Sequence, residues 1–356
     1  MKKFLFPVIV TFLLSAMPFG NAANLPGMPP LLDSNNVYAA NTPNNFSDTV
    51  KGYPALVYVP NTQSNTVQVY DQKTYKLLRT VKVAREPQHV VPSYDLKTLY
   101  ANSDLGNSLM PFDAKTGKPG KRIPLLDPYN LYFTPNGKYA VVMQERMKQI
   151  AFADPHTFKI KKTLKTKCAG VNHADWTADG NIFIASCEFS GTIIEVNTAK
   201  MKIINEQFIP DTYAKHSAST HDGLPNLGPQ PQDVKLSPDG KTFYIADMMS
   251  DGIWTMPAPW GKLTYINTGF GAHGLYVTRD AQKLIITNRD DSSISILQFS
   301  DNKIIAKWKI PGNASPDMGG VSADGKTFWV SGRYDDAIYQ ISLDDGHLIK
   351  KIKTDK

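Results

Sequence analysis

Pairs of polar residues recur in this chain at a fixed distance ahead of a repeated phrase. They are Gln88-His89, Tyr129-Asn130, Asn172-His173, Gln232-Asp233, His273-Gly274 and Asp317-Met318, each pair seven and six residues before Asp95, Asn136, Asp179, Asp239, Asp280 and Asp324. Lining one opening, they would form a ring able to hydrogen-bond a small molecule or water. His89, His173 and His273 stand on alternate repeats, which sets them across the opening rather than against one another. A shared metal would need them to converge to about 2.0–2.1 Å from one ion. Without that convergence the ring is a water-filled channel lined by polar side chains.

Other residues could add chemistry to such a ring. Arg289 (TNRDD) and Arg333 (SGRYDD) close equivalent strands of the last two repeats, and Arg85 lies in the loop before His89. Three guanidiniums in one sector would capture a carboxylate or phosphate, because the planar fork matches both. Asp290, Asp291, Asp335 and Asp336 stand beside two of them, and local ion pairing is the competing reading. Glu145, Asn130, Asn172 and Asp233 make a possible oxygen-donor set for a divalent cation. Met248, Met249 and Met318 with His273 make a possible soft-metal set. Cys168 and Cys187 are the only cysteines. In an exported chain they are expected to pair. A reactive thiol or a metal ligand is the minority reading. There is no CxxCH, HExxH, GxSxG or phosphate-binding glycine loop.

The elements that must position these residues are strands. VKLSPDGKTFYIAD (234–247) alternates apolar and polar residues around Pro238-Asp239-Gly240, the pattern of a hairpin. Six such corners recur at intervals of 41, 43, 60, 41 and 44 residues. That period, with only strand-like pattern between corners, predicts the four-stranded antiparallel blades of a propeller. Residues 56–83 supply three strands of one further blade, so the fold class is all-β, a seven-bladed β-propeller over residues 54–356. The C-terminal HLIKKIKTDK ends an outer strand. The missing inner strand of blade one then comes from residues 23–53, with NNVYAAN (35–41) as donor, or blade one stays three-stranded; partial closure is the expectation, because it covers an exposed edge. The 60-residue interval contains an insertion, 210–231, on the face that carries the polar ring. Long irregular loops in such places are often functional.

The first 22 residues read as a signal peptide: Lys2 and Lys3, then an apolar run from Phe4 to Met17, then small residues before Ala23. The mature chain is expected to be periplasmic or secreted, with no transmembrane segment. Its formal charge falls from +7 to +5 when Lys2 and Lys3 are removed. Cations are interspersed with acids, which excludes an ordinary nucleic-acid binder.

NTQSNTVQVYDQKTYK (61–76) and SPDGKTFYIAD resemble the YVTN-repeat β-propeller family of exported bacterial proteins, the YncE-like propellers, and the resemblance runs from about residue 53 to 353. It implies a seven-bladed propeller and a role among adhesins, scaffolds, ligand binders and occasional hydrolases. Fold alone does not choose among them. The residues favour an exported monomer that binds rather than catalyses and requires no cofactor. Its upper face would hold a small ligand, anionic if the Arg sector is not neutralised, or a partner protein. The ligand-binding residues would be His89, Tyr129, Asn130, Asn172, His173, Asp233, His273, Asp317, Arg85, Arg289 and Arg333. The alternatives are a lactonase-type, metal-dependent hydrolase using Glu145, Asn130, Asn172 and Asp233, and a metal or haem-like cofactor carrier using the histidines.

Overall fold

The corner phrase folds the same way six times because its hydrogen bonds are local. In each copy a Ser or Thr hydroxyl donates to the acidic or Asn side chain two residues on, over 2.5–2.8 Å: Ser93 to Asp95, Thr134 to Asn136, Thr177 to Asp179, Ser237 to Asp239, Thr278 to Asp280 and Ser322 to Asp324. The same side-chain oxygen accepts the backbone N–H two residues further along. The residue after it must turn with positive φ. Gly137, Gly180, Gly240 and Gly325 do so at 67–74°, whereas Leu96 and Ala281 are held there at 62° and 55°.

The computed structural model describes residues 25–213 and 228–356, and these form seven antiparallel sheets. The 1–22 leader and most of the 210–231 insertion lie outside the described residues. Blades two to seven have four strands each, in sequence order. Seven apolar clusters fill the spaces between neighbouring blades. The largest joins blades three and four through Met143, Phe152, Trp176 and Phe183; the smallest joins blades seven and one through Val59, Tyr70, Trp329 and Ile338. The outermost strands carry the lysines, as in Lys161, Lys162 and Lys165, which protects exposed edges from pairing. No helix of the described residues is long and apolar enough to cross a membrane.

Blade one corrects the sequence reading. It keeps three strands, Leu56–Asn61, Thr66–Asp71 and Leu77–Lys82, and residues 25–53 donate none. Pro26, Pro29, Pro30 and Pro43 each lack the N–H a ladder needs, and Ala39–Asn41 is a 3-10 turn. The segment is instead a strap across the corner face. Leu25 N–H donates to Asp179 O (3.3 Å), Val37 N–H to Pro238 O (2.8 Å) and Asn44 N–H to Ala323 O (2.8 Å). Tyr38 Oη donates to Leu236 O at 2.7 Å, and the Asn136 amide reaches Pro26 O at 3.4 Å. One strap thus touches blades three, four, five and seven.

Cys168 and Cys187 form a disulfide with Cα atoms 6.0 Å apart, enclosed in the blade three–four cluster. For a sequence separation of 19 the chain-entropy relation gives about 3 kcal/mol. Replacing both with Ala should lower the urea midpoint accordingly while leaving the far-ultraviolet circular dichroism unchanged. A double variant as stable as the parent would show that the packing alone holds this corner.

Candidate functional site at the channel mouth

The paired polar positions have a common backbone cause. In blades two, four, five, six and seven the innermost strand slips register where the pair sits: between Pro87 and His89, Val171 and Ala174, Pro231 and Val234, Ala272 and Leu275, and Pro316 and Gly319. In blades four to seven two adjacent residues oppose one across the bulge, which re-aims their side chains, whereas in blade two Gln88 alone is displaced and His89 stays paired with Asn102. Hydroxyls of the second strands fill the gaps. Ser186 accepts from His173 N–H (3.3 Å), Thr287 accepts from Gly274 N–H (2.8 Å), and Ser331 donates to Met318 O (3.0 Å).

One wall of the mouth is cationic and centres on Asp317. Arg289 Nη2 lies 2.7 Å from Asp317 Oδ1, His273 Nδ1 lies 2.9 Å from the same oxygen, and Arg333 Nε lies 4.0 Å from Oδ2. Arg333 Nη1 also donates to Gln88 Oε1 at 3.4 Å, and Arg289 Nη1 to Met248 Sδ at 3.4 Å. Burial alone would raise the Asp317 pKa, but Arg289, His273 and Arg333 outweigh it and hold the carboxyl well below its usual range. Two guanidiniums here share one carboxylate. The aspartates next to them in sequence do not supply these contacts: Asp291 pairs with Lys307 and Lys309, and Asp335 accepts from Ser315 and Tyr339. Arg85 does not join the cluster; it is exposed, and among the described residues no ion pair links it to Asp317.

The histidines meet, contrary to the expectation that alternate blades keep them apart. The His89 and His173 ring centroids are 5.4 Å apart and those of His173 and His273 6.1 Å, both edge to face, with Tyr129 5.4 Å from His89. His89 Nδ1 bonds Tyr129 O at 2.9 Å, and burial lowers the His89 pKa to about 4. Burial, then the neighbouring imidazoles, hold His173 well below its ordinary value, so both rings are neutral at pH 7. The tautomer of His173 follows from Asn130. Leu131 N–H donates to Asn130 Oδ1 (2.9 Å), which turns the amide nitrogen toward Tyr132 Oη (2.9 Å) and His173 Nδ1 (3.3 Å). His173 Nδ1 therefore accepts, and the proton sits on Nε2, which is buried with no partner.

That arrangement does not fit a metal, since a ligating imidazole must present a lone pair. Among the described residues no three His, Cys, Asp or Glu side chains are arranged to hold a metal ion. The oxygen set divides as well. Asp233 gives its oxygens to Val234 N–H and Leu275 N–H, and Asn130 serves Tyr132 and His173. Asn172 turns to Glu145 (3.4 Å) and Glu188 (2.8 Å). Met318 Sδ faces Tyr276 Oη at 3.6 Å, so the methionines form no soft-metal set with His273.

Sequence reasoning missed a second ring. Nine residues after each corner Asp or Asn, where the second strand ends, stand Asp104, Glu145, Glu188, Met248, Arg289 and Arg333, with Thr62 in the matching place on blade one. The signs are sorted: acids on blades two to four, cations on blades six and seven. Glu145 is 7% exposed. Burial and then the Glu188 charge push its pKa well above the ordinary value. Burial also raises Glu188, against the Gln232 amide, and brings Asp104 up to about 6. Asn172, which bonds Glu145 and Glu188, precedes His173, whose ring lies 6.1 Å from His273, the imidazole on Asp317, so the two walls border one opening.

Comparison with known proteins agrees with this architecture. The chain is similar to hydrazine synthase of Kuenenia stuttgartiensis, with 16% identity and a TM-score of 0.67 over 81% of this chain and 92% of that one. It is similar at 11% identity and TM-score 0.67 to a functionally unknown protein of Desulfotomaculum acetoxidans, covering 83% and 95%. The Cps50 (Swd1) β-propeller domain of Myceliophteria thermophila follows at 14% and 0.59, covering 75% and 86%. At these identities the likeness concerns the fold alone. No curated protein matches the sequence. The family model for YncE-like β-propellers matches residues 30–206, and with seven blades built on one repeated corner the chain belongs to the YncE-like β-propellers.

Proposed function

We propose that this chain is an exported binding protein whose channel mouth holds a small ligand bearing a carboxylate or phosphate. The observation that carries the reading is a pair of buried N–H donors without acceptors, Arg289 Nε and His173 Nε2, on residues 8% and 1% exposed. Leaving such a donor unsatisfied costs about 1–3 kcal/mol. An acceptor-bearing ligand removes that cost, and two guanidiniums against one Asp317 leave charge for it. Export is supported by the leader sequence and agrees with the disulfide.

A thermal-shift screen of small carboxylates and phosphates tests the proposal. Arg333→Ala is the informative variant, because Arg333 is the less committed cation, 4.0 Å from Asp317. A stabilising anion should bind it about tenfold to a hundredfold more weakly than the parent protein. If no anion stabilises the parent, or the variant responds equally, the mouth is not an anion site and a protein partner becomes the better reading.

A further inference from the structure

The anion-binding reading uses half of the mouth, and the other half carries the opposite sign. Glu145 and Glu188 share one amide donor, Asn172 Nδ2, at 3.4 and 2.8 Å. Among the described residues neither carboxylate has an ion-pair partner. Arg146, next to Glu145 in sequence, is taken by Asp127 at 2.8 Å and by Asp104 O at 2.9 Å. Across the opening, Arg289 Nε lacks an acceptor while its Nη2 holds Asp317. Tyr129 and His173 pack edge to face at 6.2 Å, and His173 in turn meets His273, the imidazole on Asp317, at 6.1 Å.

We infer that the ligand is dipolar: a small molecule whose anionic group meets Arg289 and Arg333 on blades six and seven and whose ammonium or other cationic group meets Glu145 and Glu188 on blades three and four. A singly charged anion would leave the Glu pair desolvated and unanswered. An ion of either sign alone would meet repulsion from the far wall. A zwitterion places each charge opposite its complement in a partly desolvated space, where charge-assisted hydrogen bonds are strongest.

The inference rests on the anion-binding reading, and the test separates the two. The full chain is titrated calorimetrically with ω-amino acids from β-alanine to 6-aminohexanoate, each beside its parent fatty acid and its parent amine. At least one amino acid should bind about tenfold or more tighter than both relatives. In Glu188→Gln, an isosteric change at a half-buried site, that advantage over the parent acid should vanish, and the parent acid, relieved of repulsion from this wall, should bind at least as tightly as before. In Arg333→Ala the advantage over the parent amine should vanish. If parent acids bind and amino acids bind no tighter, the dipolar inference fails and the anion site stands. If amines bind as tightly as amino acids, the inference fails because the acidic wall acts alone. If none of the three classes binds, the dipolar inference fails, and the anion site stands or falls on the phosphates of the thermal-shift screen.

Discussion

Replacing Asp317 with Asn should cost the protein about 3–5 kcal/mol, the penalty for breaking a buried ion pair from one side. Arg289 and Asp317 are 8% and 5% exposed, so the guanidinium left behind cannot recover its hydration. The shape is conserved in Asn and only the charge is lost. The melting temperature should fall by roughly 4–7 °C at pH 7. The pH dependence has a definite sign. Asp317 is held well below its unfolded value, so its contribution is present above pH about 3.9 and is lost as pH falls through the native value. Urea titrations at pH 7 and near pH 3 should therefore show the gap between parent and variant narrowing in acid. A variant within about 1 kcal/mol of the parent at pH 7 would mean that channel water screens the pair.

Deleting residues 25–50 should destabilise the propeller by several kcal/mol, for a reason unrelated to sheet closure. Leu25 is 5% exposed, and Val37 packs on the blade four–five cluster. Burying an aliphatic side chain is worth about 1.5–3 kcal/mol. The strap's hydrogen bonds to blades four, five and seven add to this. The loss should be partly recovered by restoring residues 25–38 alone, since these reach Asp179, Leu236 and Pro238. If the truncated chain melts with the parent, the strap is a passenger.

The repeated corner was legible in the sequence because every bond that makes it lies within five residues, as in Ser237, Asp239, Lys241 and Thr242. Its period gave seven blades for the same reason. What the reading missed is non-local. It weighed the sequence neighbours of Arg289 as competing counter-ions, whereas the chain supplies Asp317 from 28 residues away and sends Asp291 to an outer strand. It separated three histidines by blade number, whereas their rings meet edge to face at the channel mouth. The acid-to-cation ring could have been found by counting nine residues forward from each corner as well as seven back. The strap could not, since a proline-rich segment of this kind shows no periodicity to read.

The seven interblade clusters are unequal, and that inequality has a mechanical meaning. The ring is thickest in apolar packing at blades three and four, where the disulfide also lies, and thinnest at the meeting of blades seven and one. There the apolar packing is supplemented by hydrogen bonds to the C-terminal strand and tail: Tyr75 Oη to Gln340 Oε1 at 2.8 Å, Ser64 N–H to Lys356 O at 2.6 Å, Asp355 N–H to Gln68 Oε1 at 3.1 Å and Thr66 Oγ1 to Asp355 Oδ2 at 3.2 Å. The molecule is thus a split washer with a stiff back and a soft clasp. Strain in such a body relaxes by spreading the clasp. Because Arg333 stands on blade seven and the Glu145–Glu188 pair on the stiff back, spreading changes the gap between the two charged walls while leaving the acidic one fixed.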